Sequence, residues 1–153
     1  MRIACLCVGF AALLSTGTAT ADVRSLCLDN ENTLWSCRAG AKHYSLCASK
    51  DLDASTGYLQ YRAGRLPKWE FQFPGSQKHP KGYFKFGLMA HGASLRFDNG
   101  GYAYDIVEDI KGETSILVRT PTGRRVSIVC ADSTQTLTEN TTIDLLNSIG
   151  LGE

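Results

Sequence analysis

ASLRFDNGGYAYDIVED, residues 93–109, decides the fold. Leu95 and Phe97 alternate with polar residues before Asn99-Gly100-Gly101, and Tyr102, Tyr104 and Ile106 alternate after it. Asn and Gly accept the positive φ of a primed turn, whose twist matches the strands it joins. The stretch therefore reads as a β-hairpin with a loop of two or three residues.

The alternation continues outward in both directions. Upstream, residues 83–90 place Phe84, Phe86 and Leu88 on one face, and His91-Gly92 turns the chain into the central hairpin. Before that, Trp69, Phe71 and Phe73 alternate with Glu70 and Gln72, bracketed by Pro67 and Pro74, residues a strand end tolerates. Leu59 and Tyr61 share a face further back, and 33–37 and 42–47 flank Arg38-Ala39-Gly40-Ala41, a hairpin loop by length and by its Gly. Downstream, Lys111-Gly112 marks a turn, and 115–120 and 125–130 form a last hairpin around Pro121-Thr122-Gly123. Short strands at this spacing predict an all-β fold, an antiparallel sandwich or barrel of about eight or nine strands. Residues 23–32 lack a period and read as an irregular arm rather than a strand. Only the tail departs from the pattern: Ile143, Leu145, Leu146 and Ile149 predict one short C-terminal helix, with Asn140 or Thr141 as its cap and Gly150 at C′.

At the start of the chain, Arg2, an apolar run from Ile3 to Leu14 and the small residues before Asp22 read as a secretory leader over residues 1–21. An apolar run of about a dozen residues is too short to span a bilayer, which takes about twenty, so no stable membrane insertion is expected after cleavage. The remaining 22–153 is one domain's length. Its basic and acidic residues balance, and they are interleaved rather than clustered apart from Arg124-Arg125, which argues against a nucleic-acid partner. A periplasmic or secreted location follows from the leader, and the cysteines agree with it. Cys27, Cys37, Cys47 and Cys130 remain after cleavage, and an even count in an oxidising compartment reads as two disulfides. Three connectivities are open. With a two- or four-residue loop at Gly40, Cys37 lies opposite Tyr44 and shares the face of Trp35 and Leu46, while Cys47 points the other way. That register suits Cys37 with Cys130 and leaves Cys27 for Cys47; a three-residue loop reverses the parity.

No chemistry announces itself. There is no Gly-x-Ser-x-Gly elbow, phosphate-cradling Gly-rich loop or His-Glu-x-x-His, and the cysteine spacings hold no zinc pattern, so neither an enzyme nor a metal or cofactor is expected. His43, His79 and His91 read as solvated surface residues, Glu108-Asp109 as a solvated strand end, and most aromatics as core. Tyr102, at the loop tip, is the exception, since no neighbour in sequence obliges it to be buried.

A secreted β-domain of this size with two disulfides and a Gly-rich, Tyr-bearing hairpin resembles the bacterial periplasmic lysozyme inhibitors, the membrane-bound and I-type inhibitor families among them. In those families a loop with a Ser-Gly-x-x-Tyr motif enters the lysozyme cleft and hydrogen-bonds its catalytic carboxylates. Gly101 and Tyr104 match that motif, and Gly100 stands where the Ser would be. In the other register Asn99 takes the Ser position and Gly100 the Gly, and Ala103 then falls on the Tyr. The resemblance implies a partner-binding loop of Asn99, Gly100, Gly101, Tyr102 and Tyr104, with a lysozyme or another secreted hydrolase as partner. The other expectation is an envelope structural or immunity-type protein whose partner is not a lysozyme.

Overall fold

The computed structural model describes residues 25–133 and 136–153, so the leader expected over 1–21 lies outside the described residues. Two five-stranded antiparallel sheets face each other as a sandwich, and they do not close into a barrel. The first has the order β10-β1-β2-β3-β4, from β1 (Glu31–Ala39), β2 (Lys42–Ser49), β3 (Leu59–Arg65), β4 (Lys68–Phe73) and β10 (Asp132–Ser133). The second is a meander of β5 (Lys85–Met89), β6 (Gly92–Asn99), β7 (Tyr102–Asp109), β8 (Ser115–Arg119) and β9 (Arg125–Val129). Helix α1, Asn140–Ser148, follows.

Period two fills the space between the sheets. Trp35, Leu46 and Tyr61 of the first sheet and Leu95, Ile106 and Ile116 of the second are almost wholly buried there. Aromatic rings show how the layers cross. Phe71 of β4 stacks on Tyr104 of β7, Phe73 of β4 stacks on Phe97 of β6, and Phe73 also meets Phe84 just before β5. A step along β4 is thus a step across the second sheet, the arrangement of crossed rather than aligned sheets.

Sequence and structure differ at several elements. The arm is not irregular throughout, because Glu31 and Asn32 already belong to β1 and pair with Ser49 and Ala48; a bulge between Thr33 and Trp35 hides the alternation there. Among the described residues there are ten strands rather than eight or nine: Asp132–Ser133 pairs with Cys37 and Arg38, too short a segment to show a period. Residues 83 and 84 lie outside β5. The helix N-cap is Glu139, with no side-chain cap bond, instead of Asn140 or Thr141, whereas Gly150 takes the expected left-handed φ of 76°. Leu146 and Ile149 bury the helix's apolar stripe in the core, and that docking compensates for the missing cap.

The disulfides join Cys37 to Cys130 and Cys27 to Cys47. The loop at Gly40 has two residues, Cys37 pairs with Tyr44, and parity directs Cys37 into the core and Cys47 to the outer face of the first sheet. Such bonds suit an oxidising, extracytoplasmic environment. Among the described residues no helix is long and apolar enough to cross a membrane.

Candidate functional site

The central hairpin closes in two residues. Asn99 pairs directly with Tyr102, and Gly100 and Gly101 have φ of 57° and 81°, the two positive values that a type I′ turn requires. The backbone demands glycine at Gly100 for its conformation and leaves it in the open: a Cβ there would meet nothing within 4 Å. Gly101 is different, because a Cβ there would stand 3.2 Å from Cγ of Pro121, so the tip leans on the neighbouring β8–β9 turn. A tip braced in this way is an ordered feature.

Of the five residues expected to form a loop site, four are at the tip and one is not. Asn99 and Tyr102, as a directly opposed pair, project from the same side of the hairpin, and Tyr102 is 42% exposed. Tyr104 lies half-buried beneath them, its ring 4.6 Å from Phe97 at 6° and stacked on Phe71 from the other sheet. Burial, with a smaller contribution from nearby Tyr102, raises its hydroxyl pKa. Tyr104 thus anchors the hairpin to the core, and the tip beyond it consists of Asn99, the two glycines and Tyr102.

A second concentration of polar groups was not foreseen. Arg62 and Glu31, with side chains 2% and 0% exposed, form a two-pronged ion pair at 2.6 and 2.7 Å. Arg62 also donates to the Leu26 carbonyl and to Gln60, while Glu31 accepts from the Leu28 N–H and the Tyr58 hydroxyl. The Trp69 ring covers the guanidinium at 4.4 Å. Burial alone would raise the Glu31 pKa, but the hydrogen bonds from Arg62, Leu28 and Tyr58 and the charge of Arg62 outweigh it and hold the carboxyl below its ordinary value. Tyr58 is pushed up to about 12, by burial first and then by its bond to Glu31. The cluster ties residues 26–31 to the outer face of β3, so its role is to seat the arm. The sequence held one partial signal: an outward Cys47 bonded to Cys27 brings the arm to the outer face of the first sheet, without showing which residues it covers.

Two expectations about polar residues need correction. Glu108 is not a solvated strand end: it is 4% exposed, and its carboxylate accepts from the N–H groups of Leu137 and Thr138 and from the Thr138 hydroxyl. Its even parity in β7 aims it inward, and the chain before α1 caps it. Of the histidines, only His91 is fully solvated; His43 is half-buried in β2 with Nδ1 enclosed, and the Nε2 of half-buried His79 bonds the Asp53 carbonyl. Among the described residues, Cys27, Glu31 and Cys47 lie within 4.8 Å of one another, but the sulfurs are a disulfide and the carboxylate is ion-paired, so this is not a metal's ligand set.

Comparison with protein-family models, with curated proteins and with solved structures found no match. Geometry and chemistry therefore carry the functional reading.

Proposed function

We propose that this chain is a periplasmic or secreted binding protein that presents the Asn99–Tyr102 tip to the active-site cleft of a lysozyme and inhibits it. The observation that carries the reading is the tip itself, a two-residue turn with open space around Gly100 and an exposed Tyr102 beside Asn99. A turn ordered before binding loses little conformational entropy when it docks. Retaining and inverting glycosidases place two carboxyl groups about 5–10 Å apart in their clefts. The Asn99 amide, the Tyr102 hydroxyl and the glycine N–H groups are donors of the kind that carboxylates accept, each worth about 1.5–3 kcal/mol at a charged acceptor. The two disulfides and the leader-like start of the chain support export to the compartment where a lysozyme would be met.

The test is an inhibition panel against chicken-type, goose-type and invertebrate-type lysozymes. Inhibition of at least one class at micromolar concentration is expected. Asn99→Ala and Tyr102→Ala should each weaken it about tenfold, equivalent to about 1.4 kcal/mol, without changing the melting temperature. An intact, folded protein that inhibits none of the three would remove lysozyme from consideration.

A further inference from the structure

We propose that the open edge of β9 is a second interaction surface, which accepts an extended acidic segment of a partner protein as an added strand. Arg125–Val129 is the last strand of its sheet, paired to β8 alone. Thr120 donates to the Arg124 carbonyl and Cys130 to the Thr114 carbonyl, which fixes the alternation of the ladder. Even-numbered residues of β9 bond to β8, and the N–H and C=O groups of Arg125, Ser127 and Val129 point away from it. That row is a template for another strand.

Other edges are managed, and this one is not. A Pro lies at each end of β4, and β4 itself carries a bulge at Glu70; the two residues of β10 pair with Cys37 and Arg38 of β1. At β5 the chain closes the edge with its own tail: the Phe86 N–H donates to the Leu151 carbonyl, and the Glu153 N–H donates to the Phe86 carbonyl. The Glu153 carboxylate then lands on Lys85 and Arg96, on the outer face of the sheet. A short extended segment bearing an acid already completes one edge in this molecule.

The β9 edge has the cations for the same arrangement, but among the described residues no segment supplies the acid. Arg119 and Arg125 are directly opposed on the outer face, in a pair without mutual backbone bonds, where side chains stand closest. Like charges so placed repel. Among the described residues neither guanidinium makes an ion pair or hydrogen bond; in their row Asp98 stands beyond Ala103, which separates it from Arg119 by a strand. Both arginines line one end of a groove of about 630 Å³ that runs past Leu117 and Ala103 to Asp98 and Asp105, which lie there with the cations Lys85 and Arg96. An added strand with acids on its outer face would neutralise the pair, whereas a second copy of β9 docked antiparallel about Ser127 would set Val129 against Arg125 and leave the charges unopposed.

The experiment uses the disulfide-intact protein and a seven-residue peptide alternating valine and glutamate, with a valine–lysine peptide as control. The acidic peptide should bind at least tenfold more tightly than the basic one, less so as salt is raised, and should slow hydrogen exchange at Arg125, Ser127 and Val129 but not at Val126 and Ile128. Arg119→Glu with Arg125→Glu should lower its affinity at least tenfold. Ser127→Pro, which removes an N–H that bonds nothing among the described residues, should do the same with the fold intact by circular dichroism. Tyr102→Ala should leave binding unchanged, which separates this surface from the hairpin tip. Equal binding of the two peptides, no binding of either, or a dimer in sedimentation equilibrium that Ser127→Pro dissolves would each overturn the assignment.

Discussion

Glu31→Gln is the most demanding test of how the first sheet is held. The substitution keeps shape and removes charge, so Arg62 faces an amide instead of a carboxylate. In the native protein that carboxylate accepts from both Arg62 Nη atoms, from the Leu28 N–H and from the Tyr58 hydroxyl. Both side chains are buried, at 2% and 0% exposure, so water cannot make up the loss. Breaking one partner of a buried pair costs about 3–5 kcal/mol, a large share of the ~5–15 kcal/mol that holds a domain together. For a chain of this size about 1 kcal/mol corresponds to about 4 °C, so the melting temperature should fall by about 12–20 °C. The control is Lys42–Glu70, a pair at 3.2 Å whose side chains are about half exposed; Glu70→Gln should cost at most about 1 kcal/mol, because exposed pairs are screened by solvent.

Calorimetry across pH checks the same reasoning independently. The folded-state pKa of Glu31 is lowered from the ordinary 4.5, so its contribution is fully present above that value and is lost as pH falls through the lowered one. The gap between native and Glu31→Gln melting temperatures should therefore be wide at neutral pH and shrink in acid below 4.5. A variant that melts within about 4 °C of the native protein at neutral pH, the equivalent of about 1 kcal/mol, would refute the claim that the pair seats the arm.

The remaining expectations concern parts with different jobs. Cys37–Cys130 spans 93 residues and Cys27–Cys47 spans 20; chain entropy assigns them about 4.7 and 3.3 kcal/mol, so replacing the first pair with Ala should lower the urea midpoint more than replacing the second. Tyr104→Ala should cost about 2–3 kcal/mol in a thermal melt, less than a fully buried aromatic because one side is open, and Tyr102→Ala should cost almost nothing. Glu108→Ala should unpair two backbone N–H groups before α1, seen as faster hydrogen exchange at Leu137 and Thr138 while β7 stays protected.

Strand alternation was legible because each inner row places its residues on one face, and the two-residue turn was legible because only Asn and Gly tolerate its dihedrals. That is why the central hairpin and the Cys37–Cys130 parity could be read from the chain. Burial on the outer face was not legible. Arg62 looks solvated in sequence, and it becomes buried only because residues 26–31 fold over it, an event that depends on Cys27, Cys47 and the bulge after Thr33 acting together. Glu108 was misread for a related reason: a carboxylate at a strand end is solvated unless a distant segment covers it, and the covering segment lies 29 residues on. The tip's composition was readable, but which of its two tyrosines faces solvent depended on how far the opposing sheet extends. Phe71 reaches Tyr104 and stacks on it, whereas Tyr102 stays exposed.

Both proposed surfaces lie on the second sheet, and the layout of the sandwich gives a physical reason. The first sheet's outer face is closed: Ser36, Ser45, Cys47, Gln60 and Arg62 point outward yet are all buried, with the arm bonded to that face by Leu26 N–H to Ser45 and by the Cys27–Cys47 disulfide. Among the described residues the second sheet's outer face has no such cover, and Arg96, Leu117, Arg119 and Arg125 on it are exposed. Its hairpin tip and its last strand also present backbone donors in an ordered element. A partner that docks on the first sheet would have to displace a disulfide-tied segment and separate a buried ion pair, at a cost of several kcal/mol. One that docks on the second displaces only water.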